Sequence, residues 1–185
     1  MEEGRGLYLE NCSSCHGHDG QGANAPALRK EGLLATVDTD YFVNTMNYGR
    51  PIRGCPSFEK RMTPAEMEKV AFYIKGWQKG ETLSAPTHVV VPKDTQRARD
   101  IFILCGGCHG LEHEGAMGPP LLDPGFLLSV SDTALRRTIM YGRPGTPMKG
   151  YLEGMGGLAE LTPEEIDGLI AYIRYRERSF EKTCD

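Results

Sequence analysis

The sequence predicts an all-α protein built from two tandem copies of one small domain, and three observations support this. The first is internal repetition. A shift of 93 residues lays Cys12 on Cys105 and runs without a gap to Pro51 on Pro144, with 16 of those 40 positions identical. Chance does not produce that density, so the halves are two copies of one unit. After a six-residue insertion in the second half, MTPAEMEKVAFYIK matches LTPEEIDGLIAYIR at a shift of 99. The second observation is helix punctuation. Both of those segments carry Thr at the N-cap position, Pro at N1 and Glu at N3, the pattern of a capping box. The third is that no convincing strand alternation appears outside Val89-Val90-Val91.

Taken in order, a helix is expected to run up to Cys12, followed by a glycine- and proline-punctuated loop. A second helix is expected near Asp38 to Tyr48. A third begins at Thr63, with Met67, Val70, Ala71 and Ile74 recurring at helical spacing. The second copy repeats the order: a helix up to Cys105, one near Ser131 to Tyr141, and one from Thr162 that buries Ile166, Leu169, Ile170 and Ile173. The domains are expected at 1–78 and 94–185. Residues 79–93, with two prolines and little helical pattern, read as a linker of some extended character. His88 falls in it and reads as a surface residue.

Composition narrows the function. The chain has 185 residues, 39% hydrophobic and 25% charged, with a formal charge of −4. That is an ordinary globular composition. No basic stripe stands out, which argues against nucleic acid. A positively rimmed protein partner suits the charge better. No apolar run approaches a membrane span. The start, MEEGRGLYLENC, has neither a positive n-region nor an apolar h-region, so no signal peptide is read there. Two halves of about ninety residues each are near the lower limit of comfortable stability, where a bound cofactor helps supply a core.

Four of the six cysteines form the motifs CSSCH (12–16) and CGGCH (105–109). Cys-x-x-Cys-His signals c-type haem attachment. Two thiols on one helical turn can bond the two vinyl groups of one porphyrin, and the adjacent histidine then faces the iron. A four-cysteine zinc site is the rival reading. It is disfavoured because each pair sits in its own copy and carries its own histidine. A thioredoxin-like motif would need a βαβ context, which is absent. Two covalently bound haem c groups are therefore expected, held by Cys12, Cys15 and His16 and by Cys105, Cys108 and His109.

With these motifs in this order, each copy resembles the class I cytochromes c. The resemblance covers almost the whole chain. It implies that Pro26 and Pro119 offer carbonyls that orient the two histidines. It also implies an exported, periplasmic protein. One departure stands out: Phe102 is one residue closer to its motif than the aromatic of the family, whereas Tyr8 is in register. The second N-terminal helix is expected to pack differently.

The sixth iron ligand is sought after the shared Tyr-Gly-Arg-Pro block. In copy two Met148 lies six residues beyond Gly142, where the family places its distal methionine. Met117, Met140 and Met155 are the competitors. In copy one the same position holds Cys55, and no methionine is equivalent. Cys55 is expected as a thiolate ligand; the alternatives are a disulfide with Cys184 or a free core thiol. Met46 and Met62 align with Ile139 and Leu161 and read as core. Arg50 and Arg143 recur beside the two loops and are expected to pair with haem propionates.

The leading functional expectation is an electron carrier that passes electrons between redox protein partners through two unlike haems. The alternative is an enzyme. His/Cys ligation resembles that of dihaem thiosulfate dehydrogenases, which would make the Cys55 side the reaction site. A third option is a subunit of a larger respiratory or sulfur-oxidising complex.

Overall fold

Each copy closes on a helix that starts where the sequence signals it. In the computed structural model, which describes residues 1–85 and 95–181, α5 is Pro64–Lys75. Glu66 N–H donates to Thr63 Oγ1 at 3.3 Å, and Thr63 N–H donates to Glu66 Oε2 at 2.7 Å. The corresponding α9, Pro163–Glu181, has the same reciprocal pair between Thr162 and Glu165 at 3.2 and 2.9 Å. Each box satisfies backbone donors that a helix start otherwise leaves open. His88, Val89–Val91 and Cys184 lie outside the described residues.

The remaining elements follow the repeat. Copy one has α1 Glu2–Asn11, α2 Ser13–His16, α3 Glu31–Leu34, α4 Thr39–Tyr48 and a 3₁₀ turn at Pro51–Arg53. Copy two has α6 Gln96–His109, α7 Pro124–Ser129 and α8 Asp132–Tyr141. Among the described residues there are three isolated bridges and no extended strand. In each copy the first and last helices pack together, α1 on α5 and α6 on α9. Their apolar faces form the core: Tyr8, Met67 and Val70 in one, Ile101, Ile166, Leu169 and Ile170 in the other.

The N-terminal helices do differ, as Phe102 suggested. The first is interrupted at Cys12, whereas α6 runs unbroken through both cysteines to His109. Tyr8 donates its hydroxyl to Gly17 O at 2.7 Å and meets Trp77 edge-on at 5.2 Å. Gly20 sits beneath that indole, where a Cβ would collide with the ring. In copy two the residue equivalent to Gly20 is His113, which takes the glycine's positive φ, 62°. It is held there because its ring stacks on Phe102 at 3.6 Å and its Nε2 bonds Phe102 O at 2.9 Å. Copy one thus fills this space with a ring from its C-terminal segment, and copy two with a ring from its loop.

The two copies touch through a reciprocal pair of glycines. A Cβ on Gly32 would lie 2.5 Å from Pro144 O, and one on the equivalent Gly125 would strike Gly49 O. Thr36 and Ser129, also equivalent, each cap the carbonyl of their glycine, at 2.9 and 2.5 Å. Contact of like surface with like surface is the geometry of a two-fold interface. It places both Tyr-Gly-Arg-Pro blocks at the junction. Further bonds cross it: Arg137 Nη1 to Asp38 Oδ1 at 2.8 Å and Arg53 Nη2 to Gly118 O at 3.3 Å.

Candidate functional site

In both copies the loop after Cys-x-x-Cys-His folds back onto the motif by matching bonds. Gly22 N–H donates to His16 O and Gly115 N–H to His109 O, both at 2.7 Å. Ala25 N–H reaches Cys15 O at 2.9 Å, and Gly118 N–H reaches Cys108 O at 2.8 Å. These returns carry Pro26 and Pro119 to the histidines. His16 Nδ1 is 2.7 Å from Pro26 O, and His109 Nδ1 is 2.6 Å from Pro119 O. A carbonyl only accepts, so Nδ1 carries a proton, and in the neutral ring that leaves the lone pair on Nε2. Burial also holds the His109 pKa below the usual histidine value, with His113 and Arg143 adding to the effect. A neutral imidazole with a free Nε2 is what a metal requires.

The described cysteines, Cys12, Cys15, Cys55, Cys105 and Cys108, are all free thiols. Burial pushes Cys12 up to about 12, and Cys55 and Cys15 are near enough to add to the rise. Cys105 is pushed up to about 11 by burial, with Cys108 contributing. Copy one therefore gathers three thiols in one neighbourhood. Cys55 is raised by burial and drawn partly back by the positive charge of Arg50.

The distal loops superimpose in their bonding. Arg50 N–H donates to Cys55 O at 2.7 Å, and Arg143 N–H donates to Met148 O at 2.8 Å. The turn inside each loop also matches, Arg53 N–H to Arg50 O at 2.9 Å and Thr146 N–H to Arg143 O at 3.0 Å. Beyond each, Phe58 N–H meets Met46 O at 2.8 Å and Tyr151 N–H meets Ile139 O at 2.9 Å. The insertion thus begins after Tyr151, and Cys55 and Met148 hold one structural position. Both are half-buried, and both pack against the core. Met117 and Met155 are exposed, while Met46, Met62 and Met140 are buried core residues.

Arg50 and Arg143 each bury an Nε that has no hydrogen-bond partner. The rest of the Arg50 guanidinium is engaged, with Nη2 donating to Tyr41 Oη at 2.8 Å and the group lying over the rings of Tyr41 and Phe126. An orphaned buried donor of this kind is costly. Its recurrence at equivalent positions fits an anionic group brought by a ligand. Free paired thiols, two correctly protonated imidazoles and two orphaned guanidinium donors together fit a covalently attached haem in each copy.

Fold and donor set define the class: a dihaem class I cytochrome c, all-α, with two tandem domains and two covalently bound haem c groups. The family model described as cytochrome c oxidase, cbb3-type, subunit III matches residues 1–74 and 95–173, and the chain belongs to that family. Among curated relatives, the cbb3-type cytochrome c oxidase subunit CcoP of Rubrivivax gelatinosus is 29% identical over 94% of this chain and 53% of its own length. The subunit FixP of Bradyrhizobium diazoefficiens is 29% identical over 92% of this chain and 59% of its own. The chain thus spans little more than half the length of these relatives. In structure it is similar to a chain of the reducing HAO-like protein complex of Kuenenia stuttgartiensis, with a TM-score of 0.63 and 18% identity, covering 95% of this chain and 96% of that one. That likeness concerns the fold alone.

Sequence reasoning missed Arg53, which ties the Cys55 loop to the Gly118 loop of the other copy, and His113. Neither carries a local motif. The alignment of the copies does carry a signal for His113, whose counterpart is Gly20.

Proposed function

We propose that this protein passes electrons between redox proteins outside the cytoplasm, through two haem sites of unlike potential. When bound, each haem supplies one-electron exchange at its iron. Cys12 and Cys15 would anchor the first by thioether bonds and His16 would bind its iron; Cys105, Cys108 and His109 would do the same for the second. Pro26 and Pro119 fix the imidazoles by accepting Nδ1–H. Arg50 and Arg143 would offer their buried, unpartnered Nε–H donors to the propionates. The observation that carries the reading is the shared bond from Arg50 to Cys55 and from Arg143 to Met148. It places a thiol and a thioether at one structural position. Cys55 as thiolate gives its iron negative charge and favours Fe(III), whereas the neutral Met148 favours Fe(II). Burial opposes the Cys55 thiolate in the free chain, and a bound cation reverses that preference.

The two curated relatives named above are subunits of cbb3-type oxidases, which supports a respiratory acceptor and a periplasm-facing position. The presence of a thiol where copy two has methionine favours one other reading, a thiosulfate dehydrogenase-like enzyme with Cys55 at the reacting haem. Thiosulfate oxidation by the pure protein would identify it. The test of the ligand set is electron paramagnetic resonance of the oxidised protein. A thiolate-type low-spin ferric signal is expected in the wild type and should vanish in Cys55→Met. Its absence from the wild type would overturn the ligation.

A further inference from the structure

The two copies place different chemistry on the same exposed ground. Around the second motif, Ile103 is 68% exposed, Leu104 43%, Leu111 84% and Met117 70%. At a shift of 93 the residues in those positions are Glu10, Asn11, His18 and Asn24, all polar. The apolar side chains of copy two are exposed, so burial in the core does not account for the contrast. Scattered exposed apolar residues need no explanation, but a cluster on one face marks an interaction site.

The four belong to one neighbourhood. Ile103 and Leu104 lie on the outer side of α6, and the exposed Gly107 continues that stripe one turn on. Leu111 lies just past the end of α6, beyond the positive-φ Gly110, with its Cα 3.6 Å from where a Cβ on Gly106 would stand. Met117 adjoins Gly118, which bonds Cys108 O at 2.8 Å. The patch therefore lies alongside the second motif, next to Cys108. Exposed Asp100, Glu112 and Glu114 flank it, with Arg99 at the α6 end and Arg53 of copy one at Gly118, so that carboxylates outnumber guanidiniums around it.

We infer that this face of copy two is the docking surface for a soluble electron-carrier protein whose own cofactor edge is apolar and ringed by lysines. An apolar centre with an acidic border selects that chemistry: the border steers and orients, and the centre excludes water at contact. Copy one, polar at every equivalent position, is left for exchange with copy two across the glycine interface. The inference rests on the proposed function only in placing the haem edge beside Cys105 and Cys108.

The experiment grafts the residues of copy one onto copy two: Ile103→Glu, Leu104→Asn, Leu111→His and Met117→Asn together. The same residue types stand at these positions of copy one. The probe is reduced mitochondrial cytochrome c, a small basic carrier, mixed with the oxidised holoprotein in stopped flow. The graft should lower the bimolecular rate constant by about tenfold or more, although Ile103→Glu adds a charge that attracts the probe. The reciprocal graft on copy one, Glu10→Ile with Asn11→Leu, should not lower it. Glu112→Gln with Glu114→Gln should flatten the salt dependence. Reduction by dithionite and the covalent haem spectrum should be the same in all variants. An unchanged rate in the four-residue graft overturns the inference while leaving the proposed function intact. So does a wild-type dimer in sedimentation that the graft disperses, since a second copy would then own the face. A wild type without covalent haem overturns the proposed function, and the docking site falls with it.

Discussion

Cys55 and Met148 offer different sulfurs from one backbone position, and the residue-scale predictions follow from that. Met148→Ala should abolish a weak sulfur-to-iron absorption band at the red end of the oxidised spectrum, while Met155→Ala should leave it. Persistence of the band in Met148→Ala, with its loss in Met155→Ala, would mean that the inserted segment supplies the ligand instead. The attachment motifs were legible because covalent chemistry fixes their spacing, and Pro26 and Pro119 because of the family resemblance those motifs carry. The orphaned Nε atoms of Arg50 and Arg143 were not, because orphaning depends on what the rest of the fold buries. Met140 illustrates how position on a helix separates core from ligand, since it lies buried within α8.

At the scale of elements, caps were legible and helix continuity was not. Thr63 and Thr162 announce α5 and α9 by local hydrogen bonding alone. The interruption at Cys12 has a subtler origin. Asn11 Nδ2 donates to Leu7 O at 3.0 Å and Ser13 Oγ to Leu9 O at 2.6 Å, and such back-bonding bends a helix. Leu104 and Gly106, at the same places in copy two, make no such bond. A second asymmetry joins α8 to α9. Arg136 and Asp167 form a buried ion pair, with Nε to Oδ1 at 2.6 Å, where copy one has Val43 and Glu68. Breaking such a pair strands a buried charge. Asp167→Ala should cost the second domain about 3–5 kcal/mol in denaturant unfolding. Adding Arg136→Val, the residue of copy one, should recover much of it. A cost below about 1 kcal/mol for the single change would contradict the pairing.

For the whole molecule, the repeat revealed two domains but not how they meet. Gly32 and Gly125 look like ordinary loop glycines in the sequence. Their role appears only when each is seen against the backbone of the other copy. The contacts of Arg53 with Gly118 and of Arg137 with Asp38 span 65 and 99 residues, beyond any local pattern. Gly125→Val should pry the domains apart, since its side chain would meet the Gly49 carbonyl. Small-angle scattering should then show a larger radius of gyration with both haems retained. An unchanged profile would contradict the reciprocal glycine interface.

The claim that the two copies carry one fold and two unlike iron sites is tested most directly by a potentiometric titration of the wild type and Cys55→Met. Each ~59 mV of separation is a factor of ten in a one-electron equilibrium. Two well-separated potentials are expected in the wild type, with Cys55→Met raising only the lower one. Two closely matched potentials of the methionine-ligated kind in the wild type, unmoved by Cys55→Met, would contradict it.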